Sequence, residues 1–311
     1  MTRIVLLFGI FLAIAMPAEA GKISNSTGTF FDADRGRKIP YKISFPKPLE
    51  GRYAVIVISH PLGGSRDSNE LLGRHLASNG FIVVHVQHEG SDESLLRGIS
   101  NRRMAPLVLA QSLRDPANAR NRFQDIPFVI SQLTRLNDED KQFKDHLNLD
   151  ALGMAGHSYG ATSTMVAAGE QVGLAGASFK VPSLRAGLTL SPSPPTGGTK
   201  PEQAYKAISI PLFHVTGTMD VSLVEGRGLT AADRTKPYRA LSIPNQYLLV
   251  LDGADHTAFS NESRDKRAMA AVLNGALAFF QAYLSNDKSA ESWLQNEFRK
   301  TLTDRDVFEK K

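Results

Sequence analysis

Gly156-His157-Ser158-Tyr159-Gly160 follows the apolar run Ala151-Leu152-Gly153-Met154-Ala155 and precedes Ala161-Thr162-Ser163-Thr164-Met165-Val166-Ala167-Ala168. The first run reads as a strand and the second as a helix of small residues. A G-x-S-x-G between strand and helix is the signature of a nucleophile elbow. The turn is tight, and glycines two residues either side keep side chains out of its way. It presents a serine hydroxyl above the sheet edge, and the amide of Tyr159 can face a substrate oxygen. A Gly/Ser turn without chemistry has the same five letters, so the rest of the chain has to decide.

Upstream, Tyr53–Ser59 is a continuous apolar run, as expected of a strand buried on both faces. It enters His60-Pro61-Leu62-Gly63-Gly64, then a helix over about 67–78 that Asn79-Gly80 stops, then the strand 81–86. This is a βαβ unit. Before it, 29–31 and 39–45 read as a hairpin turned at 32–36, with 21–28 loose. After it, the pattern loosens over 88–122, which holds Arg97, Arg102, Arg103, Arg114, Arg120 and Arg122. A stretch this long is either an excursion with short helices over the active-site end of the sheet or a solvated arginine surface. Residues 123–136 show helical apolar spacing; 186–190, 210–216 and 246–251 read as strands, and 264–284 as a long helix. The alternation predicts an α/β fold: a doubly wound, mostly parallel sheet of eight strands with an N-terminal antiparallel hairpin.

Arg3, the apolar run 4–16 and Pro17-Ala18-Glu19-Ala20 have the layout of an export signal. The expected organisation is a signal over 1–20, one catalytic domain over 21–285 and a helical tail over 286–311, in a secreted or periplasmic monomer. The 311 residues include no cysteine, which excludes disulfides and thiolate metal sites. Net charge is +5, spread along the chain with no basic-aromatic module, so nucleic acid is not an expected partner. No stretch reaches the roughly 20 apolar residues that a transmembrane helix needs.

Functional groups of such a sheet gather at the carboxyl ends of its strands. The last strand ends in Asp252-Gly253-Ala254-Asp255-His256, and the one before it in Thr216-Gly217-Thr218-Met219-Asp220. The order Ser158, Asp220, His256 suits a nucleophile, an acid that fixes the imidazole tautomer, and a general base. Asp252 is the rival acid; Asp255, adjacent to His256, is poorly placed to reach its neighbour's ring. The loop after Ser59 lies where oxyanion donors belong, which makes the amides of Leu62 and Tyr159 the expected pair. His60, His88 and Glu89 are possible pocket residues. His157 is expected to pack structurally, and His214 to be a hydrogen-bonded core residue. His85, His88 and Glu89 lack a third ligand at metal spacing, so neither metal nor cofactor is expected.

These stretches resemble the α/β-hydrolases of the dienelactone-hydrolase-like group, within it the platelet-activating-factor acetylhydrolase and polyester-hydrolase branches. The likeness is carried by 58–66, 76–84 and 156–160, with the Asp220 and His256 loops similar to the polyester-hydrolase pattern. It implies an α/β-hydrolase fold and hydrolysis of a small-molecule or lipid ester. Two departures matter. True dienelactone hydrolases use a cysteine nucleophile, absent here. Animal acetylhydrolases carry the acid after the sixth strand, where this chain reads Leu190-Ser191-Pro192-Ser193. An acyltransferase with the same triad, or a non-catalytic binding module on this fold, are the alternatives.

Overall fold

A computed structural model describes residues 21–99, 101–173, 179–195, 199–221 and 228–311. The expected signal over 1–20 lies outside them. Nine strands form one sheet: β1 (Ile23–Asp32), β2 (Arg37–Pro46), β3 (Tyr53–Ser59), β4 (Ile82–Val86), β5 (Leu147–His157), β6 (Leu184–Leu190), β7 (Leu212–Met219), β8 (Gln246–Asp255) and β9 (Val307–Lys310). Eight helices accompany them among the described residues: α1 (Glu70–Ser78), α2 (Ala105–Arg114), α3 (Pro116–Glu139), α4 (Tyr159–Ala168), α5 (Pro201–Ala204), α6 (Ala231–Ala240), α7 (Lys266–Leu284) and α8 (Lys288–Asn296). The spatial order is β1-β2-β4-β3-β5-β6-β7-β8-β9. Strands β3 to β8 are parallel to their neighbours; the β1–β2 hairpin joins β4 antiparallel, and β9 joins β8 antiparallel. This is the α/β-hydrolase architecture.

Continuous apolar runs become central strands because they must serve two cores at once. Along β3, Ala54, Ile56 and Ile58 pack with Leu72 and Leu76 of α1 and Phe279 and Phe280 of α7. Val55 and Val57 point the other way, into the cluster of Ile126, Val129 and Leu133 of α3 and Met165 of α4. Each such side chain, fully buried, contributes roughly 1.5–3 kcal/mol of transfer free energy.

Three features differ from the sequence reading. The sheet has nine strands rather than eight, because the segment expected to be a helical tail turns back after α8 and pairs Val307–Lys310 with Val250–Tyr247. Phe308 stacks on Tyr247, with ring centroids 6.1 Å apart, and packs edge-on to Phe298. Of the stretch expected to be loose at 21–28, all but the first two residues belong to β1, paired with β2 from Ile23↔Pro46 onward. The helix expected from 123 begins earlier, at Pro116, capped by Asp115 accepting the Ala117 amide, while α2 is a short helix of the kind expected of an excursion in 88–122.

Candidate active site

Strand β5 delivers the chain to Ser158, which sits at φ 56°, ψ −117°. A non-glycine residue at positive φ is strained and persists only where its surroundings hold it. Here the Ser158 amide donates to the Leu190 carbonyl at 2.8 Å, and its carbonyl accepts from Ala161 at 2.9 Å. The flanking glycines are required by close approach. A Cβ on Gly156 would meet the Gly160 carbonyl oxygen at 2.1 Å, and one on Gly160 would meet the Ser59 oxygen at 2.0 Å.

Two neighbouring strands bring the other groups to the serine. β7 and β8 run in register past Gly217↔Leu251 and, after a bulge, pair Met219 with Asp255. The next residue on each strand is Asp220 and His256. His256 Nε2 lies 3.0 Å from Ser158 Oγ, and its Nδ1 lies 2.7 Å from Asp220 Oδ1. Asp220 is wholly buried. Its Oδ2 accepts from the Thr216 hydroxyl at 2.8 Å, and Arg234 Nε stands 3.5 Å from Oδ1. Burial, the largest influence, raises the Asp220 pKa, but the His256 hydrogen bond and charge, joined by Arg234, outweigh it and hold it below its ordinary value. An ionised Asp220 fixes the His256 proton on Nδ1 and leaves Nε2 free to accept.

The rival acids are engaged elsewhere. Asp255 Oδ1 accepts from the Thr257 and Ala258 amides at 2.8 and 3.0 Å, capping the 3₁₀ turn that carries His256. Asp252 faces Arg305 at 3.1 Å, and its amide donates to Asp306.

A cavity of about 360 Å³ opens over Ser158 and His256. Leu62, Tyr159 and His157 line it, and α2 adds Leu109 and Leu113 to its wall. Tyr159 is the first residue of α4, so its amide has no carbonyl one turn back. Leu62 is bracketed by engaged amides: Gly63 donates to Ser91 at 2.8 Å and Gly64 to Pro61 at 2.9 Å. The His157 ring is buried 4.9 Å from the His256 ring, and burial, then the charge of His256, takes its pKa down to about 3.

The suggested pocket residues lie elsewhere. His60 and His88 are buried beneath the loop rather than on the cavity wall. His60 Nε2 accepts the His88 amide at 2.9 Å, and His88 bridges Ser59 and Asp125 at 3.0 Å each. Glu89 is exposed, and its carbonyl accepts from Arg37 at 3.0 Å. Neither reading of the arginine stretch describes Arg122, which is wholly buried. The signal that could have found it is its position: Arg122, Ile126, Val129 and Leu133 recur at helical spacing, so the arginine falls on the apolar stripe of α3. Among the described residues no group of three or more His, Cys, Asp or Glu side chains is arranged to hold a metal ion.

The family model described as platelet-activating factor acetylhydrolase, isoform II, matches residues 38–101, from β2 through the loop after Ser59 and β4. The chain is similar to the platelet-activating factor acetylhydrolase of Cavia porcellus, 23% identical over 301 residues, covering 82% of this chain and 63% of that protein. It is also similar to the enzyme of the same name from Bos taurus, 27% identical over 139 residues, or 37% of this chain and 31% of that protein.

The fold is that of the α/β-hydrolases, and the sequence is similar to the platelet-activating factor acetylhydrolases.

The match spans less than two thirds of the length of these curated relatives. The matched 38–101 block supplies the Leu62 loop, while Ser158, Asp220 and His256 lie beyond it.

Proposed function

We propose that this chain is an exported serine hydrolase of carboxylic esters, working through a covalent acyl-enzyme. The observation that carries the reading is the unbroken hydrogen-bonded line from Ser158 Oγ through the His256 ring to buried Asp220. His256 Nε2 takes the Ser158 proton as Oγ bonds to the ester carbonyl carbon. The carbonyl oxygen becomes an oxyanion between the amides of Leu62 and Tyr159, each such donor lowering the barrier by about 3 kcal/mol. The C–O bond to the alcohol then breaks, and the alcohol leaves with the proton from His256. Water repeats the sequence: it gives a proton to His256, bonds to the acyl carbon, and releases the acid as Ser158 Oγ recovers that proton.

The similarity to proteins named platelet-activating factor acetylhydrolase favours esters of short acyl groups, phospholipid esters among them. The half-apolar cavity walled by Leu62, Leu109 and Leu113 suits such a substrate. Export rests on the layout of residues 1–20. No helix among the described residues is long and apolar enough to cross a membrane.

The test is labelling by a fluorophosphonate and turnover of chromogenic esters graded by acyl length. The expected result is one label per chain and fastest turnover of short acyl groups, both lost in Ser158→Ala. Equal labelling of that variant would remove the serine mechanism.

A further inference from the structure

Beneath the Leu62 loop lies a buried polar cluster with a determinate set of protons. Arg122 is its centre. Its Nε donates to Ser163 Oγ, its Nη1 to Ser91 Oγ and its Nη2 to Ser59 Oγ, each at 2.8 Å, and Nη2 also donates to the His60 carbonyl. The Asp125 carboxylate can only accept, so a neutral His88 carries its proton on Nδ1 and donates it to Oδ2. The bare Nε2 of His88 then accepts the proton of Ser59 Oγ, which itself accepts from Arg122. Asp125 is held in turn by Arg37 through both oxygens and by Arg35. His60 accepts the His88 amide at Nε2, so its Nδ1 proton goes to the Pro61 carbonyl at 2.6 Å. Ser59, His88 and Asp125 are linked like Ser158, His256 and Asp220, but all three are closed to solvent and none lines the cavity over Ser158. Their order serves position, not bond-breaking.

The bonds of Arg122 reach both halves of the proposed oxyanion hole. On the first half, it holds the His60 carbonyl two residues before Leu62. It also holds Ser91, whose carbonyl accepts the Gly63 amide just after Leu62. The Leu62 peptide is thus tied on both sides to one guanidinium. On the second half, the guanidinium carbon lies 4.5 Å from the centroid of the Tyr159 ring. Its Nε fixes Ser163 Oγ, which donates to the Tyr159 carbonyl at 3.1 Å. A planar, five-donor guanidinium can make these bonds at once; an ammonium has three donors and no fork. Burial, the largest influence, lowers the Arg122 pKa to about 10, which leaves it cationic at neutral pH.

We propose that Arg122 is a positioning residue that sets the spacing of the Leu62 and Tyr159 amides, so that the two converge on one oxyanion. The proposal rests on the ester-hydrolase reading above. Electrostatic stabilisation of this kind depends on donors placed in advance, so a shift in one half of the pair weakens the transition state more than substrate binding.

The experiment compares an ester with the thionoester of the same acid and alcohol, in wild type, Arg122→Lys and Ser163→Ala, using the full chain with folding checked by circular dichroism and thermal melting. Sulfur is large and a poor hydrogen-bond acceptor, so a well-set pair of amides favours the carbonyl ester. For Arg122→Lys the expected result is a kcat on the ester lower by about 10²-fold, in the range for losing one oxyanion donor, with KM little changed. The ester-to-thionoester ratio of kcat/KM should fall with it. Ser163→Ala leaves the arginine in place and should lower the same ratio by less. A folded Arg122→Lys that loses ester and thionoester turnover in equal proportion, or keeps full kcat, overturns the proposal. If Arg122→Lys does not fold, Ser163→Ala decides: a lowered ratio supports the proposal and an unchanged one overturns it. Absence of wild-type ester turnover and of Ser158 labelling would appear before any variant is made, and would sink both readings together.

Discussion

The buried ionisable groups predict a stability maximum near neutral pH, with unequal limbs. Burial, the largest cause in each, lowers the pKa of His85 and His88 to about 4 and of His157 and His214 to about 3. All four are buried and neutral in the fold, whereas in the unfolded chain each titrates near 6.5. Below that pH the unfolded state binds protons that the folded state refuses, so stability falls as pH falls, by about 1.4 kcal/mol per pH unit for each histidine. His60, also pushed well below its ordinary value by burial, adds in the same direction. Glu170 works against them: burial raises its pKa from 4.5 to about 8, so between those values the folded state holds a proton the unfolded state has lost. The five histidines less one carboxyl leave a net uptake of about four protons on unfolding near pH 5. The acid limb should therefore drop by about 5 kcal/mol per pH unit from 6.5 towards 4.5. Typical domains have only about 5–15 kcal/mol in hand, so acid unfolding should be complete before most carboxylates titrate. Above 6.5 only the Glu170 contribution remains, costing about 1.4 kcal/mol per pH unit up to pH 8. Asp125 and Asp220, whose pKa values are depressed, add stability that is lost only as pH falls through those low values. The assay is urea unfolding from pH 4.5 to 8.5. Glu170→Gln should flatten the alkaline limb and steepen the acid one. A stability that stays level from pH 7 to pH 5 would refute the buried neutral imidazoles, and an alkaline limb unchanged by Glu170→Gln would refute the protonated carboxyl.

Asp220→Asn should lower kcat by about 10⁴-fold by fixing the wrong imidazole tautomer, while Asp252→Asn, which only loosens the Arg305 contact, should cost far less; steady-state kinetics on one chromogenic ester distinguishes them. Gly160→Ala places a Cβ 2.0 Å from the Ser59 carbonyl oxygen, so it should destabilise the chain by several kcal/mol and abolish activity, measured by urea midpoint and fluorophosphonate labelling. Exhaustive EDTA treatment should leave ester turnover intact, and a loss restored by adding a divalent ion would show a metal requirement. Deleting 307–311 removes β9 and uncovers Tyr247 and the edge of β8, so the thermal midpoint should fall by several degrees with kcat/KM little changed.

The parts legible in the sequence are those set by local pattern. Runs such as Tyr53–Ser59 and Phe81–Val86 are too apolar for any place but a strand covered on both faces. The Gly156–Gly160 elbow is written in consecutive residues because its sterics act over five positions. Asp220 and His256 each end a strand, and adjacent parallel strands release their chains about 4.8 Å apart, so their meeting could be reasoned out. Partner choice is different. Val307–Lys310 has only four residues and no strong apolar alternation; it is a strand because β8 offers an unpaired edge and Phe308 finds Tyr247. The Asp115-Pro116 start of α3 is present in the letters, yet apolar spacing marks the helix only from 123 onward, because its first turns carry arginines and small polar residues.

Charge is where tertiary structure decided most. Arg97 and Arg122 are the same residue in the sequence, but the first is exposed beside Glu93 and the second is sealed among three serines and a carbonyl. Nothing local separates them, because burying a guanidinium is tolerable only when groups from distant segments converge to accept its hydrogen bonds. Ser59, Ser91 and Ser163 come from a strand end, a loop and a helix more than 30 residues apart, and only the folded sheet brings them round one cation. The sequence alone thus determined the layering and the residue types at the strand ends; the long-range satisfaction of buried charge decided which histidines and arginines face the cavity and which hold it in shape.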